Sequence, residues 1–332
     1  MEPESTAAPE APPSPPAVPP PPSKLHVVFF NERGLRAGWR LLIFVGMLIA
    51  AQAFVFGVLF LIRGGRNRPP QNAMPPPEQL LVGELVGFLV VVLITWLMSR
   101  IERRRMGVYG LPLERSAWSS FFVGYFFWGF LPLTLLLLAM RALGVFFLDG
   151  VALHGSDIAY FALVWGLVFL CVGLFEEYLT RGYPLYTLAD GIGFWPAAIL
   201  LALLFGYLHM GNGGEGRIGI IDVCIFAMFA AVTLRLTGSL WLAVGAHAGW
   251  DWGQSFFYGV NDSGAPAVGH LLNSHVKGPE WLSGGSVGPE GSLLSSLLQI
   301  LMIAAFVAIY RRAPQSLPSD SASTSSTLVS NQ

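Results

Sequence analysis

The sequence predicts an all-α protein, a polytopic transmembrane helix bundle of about eight spans, and three observations carry that reading. Charged residues make up only 12% of the 332-residue chain, about half of the roughly 25% usual in soluble domains. Apolar runs long enough to cross a bilayer recur along it. Basic residues gather in alternate connecting segments.

The scarcity of charge means that most of the surface must face something other than water. The lipid bilayer is therefore the first partner, and a net charge of −1 argues against nucleic acid as a second. Cys171 and Cys224 sit alone in apolar stretches and read as core residues rather than a disulfide or metal pair.

Crossing about 30 Å of hydrocarbon takes about 20 apolar residues. Runs at 41–62, 80–98, 120–140, 157–177, 194–210, 219–236, 240–257 and 293–310 meet or approach that length. Backbone groups in lipid must be satisfied internally, so these are helices rather than open strands. The chain divides into a disordered Pro-rich tail at 1–30 and N-terminal transmembrane helices at 31–150. A transmembrane core at 151–257, holding the polar clusters, comes next. A Gly-rich extracytoplasmic loop at 258–292, a last transmembrane helix at 293–312 and a disordered Ser-rich tail at 313–332 complete it. Neither tail can bury enough apolar surface to offset its ordering entropy.

Basic residues orient the bundle. With the N-terminus cytoplasmic, thirteen fall inside: Lys24, Arg33, Arg36, Arg40, Arg100, Arg103, Arg104, Arg105, Arg115, Arg181, Arg235, Arg311 and Arg312. Six fall outside: Arg63, Arg66, Arg68, Arg141, Arg217 and Lys277. Both termini are then cytoplasmic, in an integral protein expected in a bacterial cytoplasmic membrane.

Ionisable side chains at membrane depth are costly and need a reason. Glu84 and Asp222 lie near helix ends and can reach the interface; His26, His154, His270 and His275 lie in loops or tails with nothing nearby to complete a site. Three clusters resist such treatment. The first, F-E-E-Y-L-T-R-G, closes the fourth span with Glu176, Glu177 and Arg181. Glu177 and Arg181 are one helical turn apart and can pair. Glu176 then points about 100° away without a local counter-charge, as suits a general base. The second, F-G-Y-L-H, sets Phe205 and His209 on the fifth span. The third, G-A-H-A-G-W-D, sets His247 and Asp251 on one face of the seventh, among small residues that permit close helix approach. A packing histidine and a structural ion pair are the plain readings of these two. If the clusters converge, they form an acid/base site with capacity for a water or a metal.

These three motifs, in this order, resemble the CPBP intramembrane proteases, also called the type II CAAX prenyl endopeptidase or ABI family. The family pattern is E-E-x-x-x-R, then F-x-x-x-H, then H-x-x-x-N or D, and the text R-G-Y-P-L-Y-T-L after the first motif is similar too. The resemblance covers roughly 155–255. It implies an endopeptidase that hydrolyses a peptide bond of a membrane-associated protein or peptide. Glu176 would activate the attacking water, His209 would orient it, and His247 and Asp251 would hold the oxyanion. Glu177, Arg181 and Phe205 would support them. The best-known eukaryotic members have Asn where this chain has Asp251, and an ionised Asp cannot donate to an oxyanion, so that role requires a protonated carboxyl. The alternative for Glu176, His209, His247 and Asp251 is a Zn²⁺ site with an open position for water, although no H-E-x-x-H signature is present. Two other classes fit an intramembrane polar cluster. One is a non-catalytic immunity or scaffold protein of the same fold, which full occupancy of the motif positions disfavours. The other is an ion-coupled transporter, for which repeated halves are expected and none is evident.

Overall fold

The computed structural model describes residues 23–31, 34–62, 75–212 and 216–310. Residues 1–22 of the Pro-rich tail, residues 63–74 and the Ser-rich tail lie outside the described residues. What was expected as the end of the first tail forms a short helix, α1 (Lys24–Phe29), and a tight pair of strands, β1 (Phe30–Asn31) and β2 (Gly34–Leu35).

Each of the eight apolar runs is helical. The first two are α2 (Ala37–Ile62) and α3 (Pro77–Ile101), the latter opened by a proline at its first position, where the missing N–H costs nothing. The third is α4 (Ser116–Val123), a π-helical segment (Gly124–Phe130) and α5 (Leu131–Ala142) in one continuous rod. Pro132 lies two residues past the π segment, and Leu131 N–H bonds back five residues to the Phe126 carbonyl. The wide turn thus absorbs a proline that a regular helix would have to kink around.

The fourth run is α6 (Ser156–Arg181), which continues four residues past its expected end, so both glutamates sit inside a helix rather than closing it. Gly182 breaks the direction, because a Cβ there would lie 2.4 Å from the Tyr178 carbonyl oxygen. A helix absent from the sequence reading, α7 (Tyr183–Ile192), follows. Then come α8 (Phe194–His209), α9 (Arg217–Thr237), and α10 (Trp241–Asp251), which runs on through a second π segment (Trp252–Tyr258). The chain ends in α11 (Glu280–Ser283) and α12 (Leu293–Ile309). Five helices, among the described residues, are long and apolar enough to cross a membrane. Apolar side chains such as Phe54, Leu61 and Leu203 face outward from the bundle, as a lipid solvent requires. The protein is an integral membrane protein.

The two ends of the bundle differ. At one, Arg40 of α2 pairs with Glu102 (2.7 Å) and Asp190 of α7 (3.0 Å), and Arg104 reaches Asp190 at 2.9 Å. At the other, the Gly-rich loop carries β4 (Leu272–Val276), antiparallel to β3 (Phe146–Val151). The Trp165 indole donates to the Val268 carbonyl (2.9 Å), and the Gln254 amide donates to that of Asn261 (2.7 Å). These bonds fasten the loop onto α6 and the end of α10. α3 and α6 run parallel: Tyr160 bonds Glu78, Phe175 covers Gly87 and Tyr183 bonds Glu102. Glu176 therefore stands beside the middle of α3.

Candidate active site

α6 divides its two glutamates as helical geometry demands. Glu177 is fully buried; one oxygen accepts from Arg181 Nη1 at 2.9 Å and the other from His247 Nδ1 at 3.0 Å. A carboxylate paired with arginine only accepts, so His247 carries its hydrogen on Nδ1 and turns Nε2 toward the cavity. Glu176, turned away by about 100°, keeps 27% of its side-chain exposure and faces that same cavity. With no exposure at all, Glu177 does not cap the helix at the membrane interface.

Phe205 joins the first motif to the second. Its ring lies 4.7 Å from the Arg181 guanidinium, and its carbonyl receives the His209 Nδ1 hydrogen at 2.8 Å. A carbonyl cannot donate, so His209 carries a hydrogen on Nδ1 and turns Nε2 toward Glu176 Oε2, 4.0 Å away.

The third motif reaches the site because glycines let α10 pack closely on two sides. A Cβ on Gly245 or Gly249 would lie 2.0 or 2.1 Å from the carbonyl oxygens of Phe121 and Tyr125, so backbone meets backbone there. On its other flank Gly173 of α6 admits the Val244 carbonyl and the His247 Cβ. His247 Nε2 thereby comes 3.7 Å from Glu176 Oε2 and 3.4 Å from Asp251 Oδ2.

Glu176, His209, His247 and Asp251 all line one cavity of about 570 Å³, which extends from mid-bundle to the Gly-rich loop. The structure thus brings together all four residues singled out, with Phe205 lining the same cavity and Glu177 and Arg181 packed behind. His26, His154, His270 and His275 do not line it; His275 instead pairs with Asp149 at 2.7 Å. Among the described residues no group of three or more His, Cys, Asp or Glu side chains is arranged to hold a metal ion.

Four further carboxylates line the cavity: Glu84, Asp222, Asp262 and Glu290. Expected at the interface, Asp222 is instead buried and accepts from Ser295 (3.0 Å), Ser296 (2.9 Å) and Gln299 (2.6 Å) of α12. Glu84 is likewise turned inward, within electrostatic reach of Glu176. Position near a helix end suggested water for both, but helix rotation decides, and only the packed bundle reveals it. Asp262 and Glu290 come from the loop, where no sequence signal separates them from the exposed Glu280. Burial pushes Asp262 up to about 6, although the Ser255 hydroxyl donates to it. Burial, and then the Asp262 charge, hold Glu290 well above the usual carboxylate range, against a bond from the Ser263 N–H.

No curated protein and no solved structure matches the chain. The stretch that holds all three motifs, residues 158–253, matches the family described as type II CAAX prenyl endopeptidase Rce1-like.

Proposed function

We propose that this protein is an intramembrane endopeptidase that cuts a membrane-associated protein or peptide with a water activated by Glu176. The observation that carries the reading is the spacing around Glu176 Oε2, with His247 Nε2 at 3.7 Å and His209 Nε2 at 4.0 Å. Groups so spaced can share one water oxygen about 2.8 Å from each. His209 accepts one of its hydrogens and fixes its orientation. Glu176 takes the other as the oxygen attacks the scissile carbonyl, and later returns that proton to the leaving amine. The oxyanion forms facing His247, which donates from Nε2 when it is protonated, with Glu177 holding the opposite nitrogen. Asp251 contributes a second donor in its neutral form.

The test is Glu176→Gln and His209→Ala in full-length protein, assayed on one cleavable membrane peptide with thermal unfolding as the control. Glu176→Gln is expected to lower kcat at least about 100-fold, the contribution typical of a general base, with unfolding unchanged. A folded Glu176→Gln protein that cuts at the wild-type rate would remove the glutamate from the chemistry.

A further inference from the structure

Among the described residues, six carboxylates and two imidazoles line the cavity, and no lysine or arginine does. The nearest guanidinium, Arg181, is spent behind the site on Glu177 and the Phe205 ring. Of the six, Asp262 and Glu290 stand apart: they come from the loop, on the side where the cavity meets it, and neither touches the proposed water position. Their placement is built. Asp262 and Ala265 exchange backbone bonds of 3.0 and 2.9 Å across a tight turn whose centre, Ser263 and Gly264, has φ of +47° and +79°. The left-handed Ser263 is uncommon for a residue with a side chain, and it aims its N–H at Glu290. Gly264 N–H and Gln254 tie the turn to Val287 and Asn261. Gln299 lines the same cavity, 3% exposed, with its amide nitrogen committed to Asp222 and its Oε1 receiving no hydrogen bond. An unsatisfied buried acceptor costs about 1–3 kcal/mol. Two held carboxylates and an unfilled carbonyl oxygen, all acceptors in a desolvated wall, are complementary to a cation that donates several hydrogens.

We propose that Asp262, Glu290 and Gln299 form a recognition subsite for a basic side chain, lysine or arginine, next to the bond being cut. The proposal rests on the endopeptidase reading and supplies its substrate class. The burial that holds both loop carboxylates above their ordinary range is relieved when such a cation docks.

The experiment compares one membrane peptide carrying Arg, Lys, Leu or Glu at each position flanking its cleaved bond, using full-length protein in detergent. At one flanking position Arg and Lys are expected to exceed Leu in kcat/KM by about tenfold or more, chiefly through KM, with Glu the poorest. Asp262→Asn and Glu290→Gln, which keep the acceptors for Ser255 and Ser263, should each shrink that ratio toward one. Equal rates for Arg and Leu peptides, or a preference that both variants retain, would overturn the subsite while leaving the protease standing. If no peptide is cut at all, binding of n-butylguanidinium, read as a rise in Tm over n-butanol, decides separately. The rise should vanish in Asp262→Asn and Glu290→Gln. No rise in the wild type would also overturn the subsite.

Discussion

Glu177 shows how much one residue can be asked to do without touching a substrate. Its two oxygens hold Arg181 and His247 at 2.9 and 3.0 Å, in a position with no solvent exposure. Removing the charge leaves a buried guanidinium without its counter-ion, a loss of about 3–5 kcal/mol where such pairs have been broken. Glu177→Gln is therefore expected to lower Tm by several degrees or more, with activity reduced but measurable. Unchanged Tm together with complete loss of turnover would reverse the roles of the two glutamates. At this scale the sequence was legible where contacts are local. The i, i+4 pairing of Glu177 with Arg181 and of His247 with Asp251 follows from helical spacing. The bond from His247 to Glu177 spans 70 residues, and no spacing rule announces it. The same holds for Asp222 and its three donors on α12.

At the scale of elements, the eight apolar runs foretold the helices because lipid leaves the backbone no other choice. What periodicity could not give were α7 and the two π segments, which arise from how neighbouring helices fit. α10 depends on that fit most. Gly249→Leu would drive a side chain into the Tyr125 carbonyl, where even a Cβ lies at 2.1 Å, and overpacking costs about 1–3 kcal/mol or more. Gly83 of α3 has nothing within 4 Å of its added Cβ, so Gly83→Ala should hold or raise stability by about 0.5–1 kcal/mol. Paired unfolding curves check both. A tolerated Gly249→Leu would mean that α10 can stand further from its neighbour than its glycines imply.

For the whole molecule, the loop-lined end of the cavity and the basic end lie at opposite poles. Arg40, Arg104 and their partners cluster at one, while Asp262, Ser263 and Glu290 line the cavity at the other. The excess of basic residues predicts that the first pole is cytoplasmic, and on that orientation the substrate bond is expected to be cut from the outer side. Val268 is 58% exposed on the loop. Val268→Cys, with Cys171 and Cys224 replaced by alanine, should react with a membrane-impermeant maleimide added outside intact cells. Reaction only after the inner face is opened would invert the molecule and bring the cavity to the cytoplasm. Charge gives an expected direction for the helices; the end that holds the cavity was not legible, because the loop residues that complete it look like any others in a Gly-rich stretch.

The second π segment, Trp252–Tyr258, begins one residue after Asp251. Such a turn holds one residue more than the α-helical turn it replaces, and is in effect an insertion that the fold has kept. Losing that residue would restore regular winding and swing everything downstream by about 100° about the helix axis. His247 and Asp251, upstream, would stay where they are, while the turn bearing Asp262 would leave the cavity wall. Between related chains, a single-codon gain or loss at this point can therefore exchange what the cavity accepts without disturbing what it does.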